Sequence, residues 1–412
     1  MNQFSDQLLL AEKIVKKVHE GQKDKAGVDY FEHVKTVSKM GKNINEQITG
    51  YLHDVIEDGG LSLSDLDNYG FSTFILNAVE AITRKDNESW NAYIRRVCEN
   101  SLATKVKLND LTHNSDLSRI GQPKKVDFDR VEKYKQAISK LEKKLASHKI
   151  VSIDFVSDLH INHYVQICSC DSQWKRETKE FIWQNYLVDQ KSEVIVLAGD
   201  YSEINRQSIW LIESFAEAYD HVLVVFGNHD HYMVGKEMLD VYECSSENRV
   251  SEVVNHFKNS PNIHFLQNKT VEISGLTFAG SRLWYNIKSV ENLKFYNLRS
   301  NDSKYIFPDP STIYKKYHEA DMAFYESLEH VDVMITHVPP VIPPSGGKIS
   351  ELYVTPVKEF KSKHWICGHQ HLVENFKIED TVFHMNAVGY PSEENTPVSY
   401  THLRAHETEL HL

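Results

Sequence analysis

Glu193-Val194-Ile195-Val196-Leu197-Ala198-Gly199-Asp200 and His221-Val222-Leu223-Val224-Val225-Phe226-Gly227-Asn228-His229-Asp230 follow one pattern. A short run dominated by Val, Ile, Leu and Phe stops on glycine, and then on side chains that ligate metals. Runs of this length read as buried strands, and the interval Ile204 to Ala218 reads as a crossover helix. The pattern recurs on both sides. Ile150 to Ser157 closes on Asp158-Leu159-His160, Val331 to Thr336 on His337, and His364 to Cys367 on Gly368-His369-Gln370-His371, with Trp174 to Leu187 as a further crossover helix. All the polar motifs are therefore expected at one rim of a sheet. Ile263 to Gln267, Thr270 to Ile273 and Leu276 to Ala279 are expected as antiparallel additions, and the aromatic stretch Trp284 to Leu328 as either a wall over the site or a helical packing layer.

Each motif has a chemical reading. Asp158 and His160 are two apart on a segment read as extended, where both side chains point the same way and can clasp one cation. Asp200 has two carboxylate oxygens and can bridge two cations. Asn228 offers an amide oxygen, and His337, His369 and His371 offer imidazole nitrogens, a set suited to divalent transition metals rather than Mg²⁺ or Ca²⁺. His231 follows these residues and is expected either to touch substrate or to lie exposed. Pro344-Ser345-Gly346-Gly347-Lys348 lacks the first glycine of a phosphate-binding loop and is read as an ordinary mobile loop.

Over residues 150–397 this constellation resembles the calcineurin-like metallophosphoesterases. The resemblance implies an α/β domain (an α+β sandwich) with two divalent ions, Mn²⁺, Fe or Zn²⁺. Asp158, His160 and His371 would hold one ion and Asn228, His337 and His369 the other, with Asp200 between them. It also implies that an activated water attacks phosphorus, while His229 protonates the leaving oxygen and Asp230 orients His229. Phe278-Ala279-Gly280-Ser281-Arg282-Leu283-Trp284 resembles a segment of the same family. There Arg282 is expected to contact substrate phosphate or to pair with a neighbouring acid.

Working back toward the N-terminus, the pattern becomes helix after helix. Apolar periodicity marks Ser5 to Val18 (capped by Ser5), Phe31 to Met40, Glu46 to Ile56, Thr73 to Thr83, Trp90 to Glu99, Ala103 to Leu117 and Phe128 to Leu145. Gly41, Gly59-Gly60, Gly70 and Gly121-Gln122-Pro123 break them. On these helices sits a second metal signature: His33, His53-Asp54 and Asp110. His53 and Glu57 are four apart, as are Asp54 and Asp58, so one helix face is expected to carry two ligands and a carboxylate pair able to act as base or acid.

His19-Glu20-Gly21-Gln22, Lys25, Gly27, Tyr30, His33, Leu52 to Asp58, Val106 to Asp110 and His113-Asn114 resemble the hydrolase domain of RelA/SpoT-type enzymes over about residues 5–145. This implies an all-α HD-type domain with one divalent ion, Mn²⁺, held by His33, His53, Asp54 and Asp110, with Glu57 and Asp58 catalytic and Lys25 and Asn114 at the substrate. It also implies removal of pyrophosphate from the 3′ position of (p)ppGpp or a related nucleotide. The family usually has Arg where this chain has Asp24, and Pro where it has Val34. An acid at position 24 would repel a polyphosphate.

A chain of 412 residues accommodates both. The expected organisation is multidomain: 1–147 HD-type, 150–397 metallophosphoesterase-like, joined through Ala146 to Lys149, and a tail at 398–412. Val398 to Thr408 looks like one reading frame of a transposase-based sequencing adapter, so the tail is expected to be artefactual, and His402, His406 and His411 are left out of the metal chemistry. Residues 1–149 hold 24 basic against 22 acidic side chains and residues 150–412 hold 22 against 36, so the net charge of −12 arises in the second part. That balance argues against a nucleic-acid footprint. The five cysteines are scattered and odd in number, not a disulfide framework. No apolar run reaches membrane-spanning length and no signal peptide is read, so a cytoplasmic location is expected. The leading reading is a bifunctional phosphohydrolase acting on a small-molecule nucleotide or phosphoester. The alternatives are a first domain that only binds nucleotide and regulates, or a second domain that is a nuclease. Oligomeric state is not readable.

Overall fold

The computed structural model describes residues 3–146, 152–187, 192–308, 310–345, 353–393 and 402–404. The chain divides into two compact units, the first Met1–Lys149 with Leu187–Gln190 and the second Ile150–Tyr186 with Lys191–Leu412.

Eight α-helices make the first unit: α1 (Gln3–Val18), α2 (Tyr30–Lys39), α3 (Ile44–Leu52), α4 (Leu63–Asn68), α5 (Thr73–Ile82), α6 (Trp90–Val97), α7 (Ser101–Asn114) and α8 (Lys125–Ala146). Their starts are chemically marked. Asn43, Ser62, Ser72, Ser89 and Asn100 each accept a backbone N–H from the first turn of the helix that follows, a contact that contributes about 1 kcal/mol per helix. α1 begins ahead of Ser5, so Ser5 is not its cap. α4 escaped the periodicity reading because it is one and a half turns long. Its only signature is the capping box of Ser62 and Asp65.

Two apolar clusters hold the unit together. One joins α1 to α5 through Val15, Val34, Ile48, Leu52 and Ile75, and the other joins α5 to α8 through Ala78, Tyr93, Val97, Val106 and Leu141. α3 ends at Leu52, four residues sooner than its periodicity predicts. His53 to Gly59 form successive turns, with Val55 N–H bonded to Leu52 O and Asp58 N–H to Asp54 O. The ligand and carboxylate pairs therefore lie on a tightly wound turn rather than on a helix face.

The second unit packs two sheets face to face. In chain order its elements are β1 (Ser152–Val156), α9 (Ile161–Tyr164), α10 (Asp171–Ile182), β2 (Val194–Leu197), α11 (Asn205–Ala218), β3 (His221–Val224), α12 (Lys236–Val241), α13 (Ser246–His256), β4 (Ile263–Phe265), β5 (Lys269–Ile273), β6 (Leu276–Ser281), α14 (Val290–Arg299), α15 (Asp302–Tyr305), α16 (Pro310–Ser327), β7 (Val331–Thr336), β8 (Ser362–Cys367), β9 (Val373–Ile378), β10 (Thr381–Asn386) and β11 (His402–Arg404). The first sheet runs β11-β1-β2-β3-β4 and the second β5-β6-β7-β8-β10-β9.

β1 to β4 are mutually parallel, so β4 extends the parallel sheet rather than adding an antiparallel strand. Antiparallel pairing occurs at the edges, in β5·β6, β9·β10 and β11·β1. Instead of one rim, the motifs occupy two: those after β1, β2 and β3 leave the first sheet, and those after β7 and β8 leave the second. Residues 398–401 and 405–412 of the tail, and 346–348 of the glycine-rich loop after His337, lie outside the described residues. Among the described residues no helix is long and apolar enough to cross a membrane.

Ile153, Phe155, Val194, Val196, Leu223 and Val225 from one sheet interleave with Phe278, Val333, Ile335 and Ile366 from the other. Phe278 is fully buried at the centre. Phe278→Ala is expected to destabilise the second unit by about 3–5 kcal/mol. Urea unfolding followed by tryptophan fluorescence reads this, because five of the six tryptophans lie beyond residue 150.

Candidate metal centres and active site

Five of the motif residues share an unusual backbone. Asp158, His160, Asp200, His369 and His371 all have φ between 41° and 70°, the left-handed region that costs a non-glycine residue about 1 kcal/mol or more. The expected extended Asp158-x-His160 segment is thus replaced by a reversal of the chain. Leaving a strand through a left-handed residue swings the next side chain back over the strand ends, and both sets of motifs thereby face one point.

The motif glycines are needed for the same reason. Gly199 has φ +94°, and a Cβ there would strike His337 and the Gly227 backbone, while a Cβ at Gly227 would strike the Asp200 carboxylate.

Three overlapping groups result, each with its ligand atoms within 4.8 Å of one another: Asp158/His160/His371, His160/Asp200/His229 and Asp200/His337/His369. Hydrogen-bond partners settle which ring nitrogens face the site. His337 Nδ1 lies 2.8 Å from the Ala198 carbonyl, an acceptor, so Nδ1 keeps its proton and Nε2 is the nitrogen turned toward the site. That nitrogen lies 3.0 Å from Asn228 Oδ1 and 3.2 Å from His369 Nδ1, and Asn228 Oδ1 is 3.0 Å from His369 Nδ1. Likewise His371 Nδ1 meets Glu393 at 2.7 Å, which turns its Nε2 toward His160 Nε2 at 3.1 Å. Imidazole nitrogens, an amide oxygen and carboxylates gathered at such distances in a buried site are the donor set of cations.

The charges agree with this. Burial alone would raise the Asp200 carboxyl, but His337, His229 and His160 hold it well below the ordinary carboxylate range. Burial keeps His160 and His369 neutral. His337 is raised to about 10, because Asp200 outweighs burial. A cation competes with that proton, so loading the site releases protons.

His229 lies on the turn after Asn228. Its Nδ1 is 3.0 Å from Glu203 Oε1, and its Nε2 is 3.3 Å from the Tyr390 hydroxyl. Asp230 does not orient it. The Asp230 carboxylate points back under the loops and accepts the backbone N–H groups of Gly227, Asp200 and Tyr201 at 2.8, 2.9 and 3.0 Å. Asp230 therefore fixes the backbone on which Asp200 and Asn228 sit, and Glu203 faces the ring.

Arg282 is likewise not presented to substrate. It is buried, pairs with Asp321 at 3.3 Å and lies 3.8 Å over the Tyr317 ring. His231 is buried between Trp284 and Tyr317, neither exposed nor at the cation groups. Four residues that motif reading passed over complete the site. They are Glu203, Tyr390 (its ring stacked on His160 at 4.5 Å), Glu393, and the fully buried Arg249, which donates to the carbonyls of Ser202, His229 and Asp230. Their contacts span 19 to 47 residues or arise after β10, so spacing holds no signal for them.

In the first unit, His33, His53 and Asp110 form a fourth group within 4.8 Å, and Asp54 Oδ2 lies 2.9 Å from His53 Nε2. The tautomer argument repeats. His53 Nδ1 is 2.8 Å from the Gly50 carbonyl. Arg119 donates to His113 Nδ1 at 3.2 Å, so that nitrogen is an acceptor and takes the His33 Nδ1 proton at 2.8 Å. Both ligand Nε2 atoms therefore turn toward Asp54 and Asp110; burial would lower His33, but these carboxylates raise it to about 9, so a bound cation would displace its proton.

Lys107 Nζ lies 2.8 Å from Asp110, and Asn114 donates to Asp110 at 2.5 Å. Asn114 thus orients a carboxylate, while also lining the cavity. That cavity, of about 450 Å³, is walled by Lys23, Lys25, Arg119 and Arg130 and by Trp90 and Tyr134, with Asp54, Glu57 and Asp58 within it. Burial pushes the Glu57 carboxyl up, which suits proton transfer. Asp24 is not free to repel a ligand, because it is paired with Arg119 and accepts the N–H groups of Ala26 and Val28 at 2.9 Å.

Several proteins are similar to parts of this chain. An uncharacterised protein, L509, of Acanthamoeba polyphaga mimivirus is 20% identical over 281 residues, which is 60% of this chain and 95% of the viral one. Among solved structures, a phosphopantetheinyl hydrolase from Mycobacterium tuberculosis is 16% identical with a TM-score of 0.45, over 61% of this chain and 95% of its own. A metazoan ortholog of SpoT, described as hydrolysing ppGpp, is 21% identical with a TM-score of 0.29, over 34% of this chain and 92% of its own. Residues 151–373 match the calcineurin-like phosphoesterase family, and with more than half of its length covered the chain belongs to that family.

Proposed function

We propose that the second unit hydrolyses a small-molecule phosphate ester at a two-cation site, and that the first unit is an HD-type pyrophosphohydrolase of a (p)ppGpp-like nucleotide. The observation that carries the first part is the convergence of ligating atoms from Asn228, His337 and His369, and from His160 and His371, around the ionised Asp200. Divalent cations supply such a site with Lewis acidity toward phosphoryl oxygens and with an activated water. Mn²⁺, Fe and Zn²⁺ all suit these donors.

The residues then divide the work. Asp158, His160 and His371 would hold one cation and Asn228, His337 and His369 the other, with Asp200 shared between the two groups. Glu203 keeps the His229 ring aimed with Nε2 outward, where it can give a proton to the departing oxygen. The Tyr390 hydroxyl beside that nitrogen is placed to contact a phosphoryl oxygen. A surplus of acid in this unit favours a compact substrate over a polynucleotide.

Support for the first unit comes from the fourth ligand group opening into a cavity lined by Lys23, Lys25, Lys107, Arg119 and Arg130 and by the rings of Tyr30, Trp90 and Tyr134. One Mn²⁺ fits the two imidazoles and two carboxylates, Glu57 with Asp58 is placed to move protons, and Lys25, Arg119 and Arg130 suit the phosphates of a nucleotide.

His229→Gln is expected to lower kcat on an alkyl phosphate about 10²–10⁴-fold, and far less on a nitrophenyl ester, whose leaving oxygen needs no proton. Equal losses on both would remove His229 from the acid role. Products from a panel of (p)ppGpp, cyclic nucleotides and mononucleotides test the pair of activities. Asp54→Ala should abolish release of pyrophosphate and spare phosphoester turnover, and Asp200→Ala the reverse. A first unit that only regulates would instead show Asp54→Ala altering the rate of the Asp200-dependent reaction with no product of its own.

A further inference from the structure

The aromatic stretch between β6 and β7 delivers two acids into the interior, Asp321, which pairs with Arg282, and Asp302. Asp302, at the start of α15, is 1% exposed. Its Oδ1 accepts from Asn228 Nδ2 at 2.8 Å and from the Tyr232 hydroxyl, and its Oδ2 accepts from the Tyr285 hydroxyl. We propose that Asp302 is a positioning residue for the second cation: it selects the amide orientation of Asn228 and supplies negative charge that this half of the site lacks.

An asparagine can ligate a cation only through oxygen, yet its amide can sit either way round. A carboxylate accepts and never donates, so only the NH₂ end of Asn228 can face Asp302. The reverse orientation would set two oxygens against each other at 2.8 Å. With Nδ2 held there and shared with the Tyr232 hydroxyl at 3.2 Å, Oδ1 is left 3.0 Å from both His337 Nε2 and His369 Nδ1.

The charge argument is independent of this. The first cation would have Asp158 to itself besides a share of Asp200, whereas Asn228, His337 and His369 would serve as neutral ligands and leave the second with only that share. Asp302, one hydrogen bond beyond Asn228, makes up the difference. The Tyr285 ring that donates to it also lies along His369, with centroids 6.4 Å apart and planes at 27°, so one acid steadies two of the three neutral ligands. A residue needed only for packing would be apolar here, because burying a carboxylate is costly.

The inference rests on the two-cation reading above, and the test separates the two. Mn²⁺ is titrated calorimetrically into the metal-depleted full-length protein for wild type, Asp302→Asn, His337→Ala and the double variant Asp302→Asn/Asn228→Asp, with metal-free melting temperatures measured alongside. Asp302→Asn is expected to weaken one binding event about 10–100-fold and leave the others unchanged, and excess Mn²⁺ should restore kcat with KM unaltered. The double variant, which puts the carboxylate on the ligand itself, should recover the lost affinity. If His337→Ala loses an ion while Asp302→Asn titrates like wild type, the inference fails and the two-cation reading stands. If His337→Ala also titrates like wild type, both fail. A lowered metal-free melting temperature with no recovery in the double variant assigns Asp302 to folding alone and overturns the proposal.

Discussion

Carboxylates and imidazoles crowded together in a desolvated pocket constrain this molecule more than any other interaction. Such groups at about 3 Å, out of reach of water, are unfavourable unless something positive, a proton or a cation, sits among them. Around Asp200, and again around Asp110, the chain creates that arrangement by placing a hydrogen-bond acceptor on the far side of the ligand rings. Backbone carbonyls at Ala198 and Gly50 serve His337 and His53, Glu393 serves His371, and the Arg119–His113 pair serves His33. Each engages one ring nitrogen from outside, and so aims the other nitrogen inward. Two folds with different backbones thus reach one electronic solution by the same device.

Holding such a site requires strain that the rest of the fold absorbs. Five ligands take left-handed backbone angles, and two glycines allow strand ends to approach closer than a methyl group permits. The apolar sandwich beneath, from Phe155 through Leu223 to Phe278 and Ile366, supplies the stability against which that strain is held. Directly under the loops, Asp230 and Arg249 bind backbone rather than ligand. One carboxylate collects three N–H groups and one guanidinium collects three carbonyls, so the loops after β2 and β3 are tied to each other. Electrostatics and backbone geometry are therefore coupled: loosening the loops would separate the ligating atoms and remove the reason for binding a cation.

The first unit shows how an apparent departure can be compensated elsewhere. An acid at position 24 reads as hostile to a polyphosphate when only neighbouring residues are considered. In three dimensions Asp24 clasps Arg119, and that guanidinium both lines the cavity and sets the proton on His113. The positive charge that position 24 lacks is thus brought in by residue 119, and the Asp24 carboxylate also shapes its own loop through Ala26 and Val28.

Sequence by itself determined the strand-then-ligand order, the helical character of the first 146 residues, and the ligand types, because a buried strand and an amphipathic helix leave local periodicities and a metal set needs specific atoms at close spacing. It could not decide what depends on contacts between distant residues. Glu203 rather than Asp230 faces His229, Arg282 belongs to Asp321 and Tyr317, α3 stops at Leu52, and the motifs leave two sheets instead of one. Asp302 lies 74 residues from the Asn228 it orients. Side-chain direction at a loop is set by φ and by whatever packs across the site, and neither is written in the spacing of a motif.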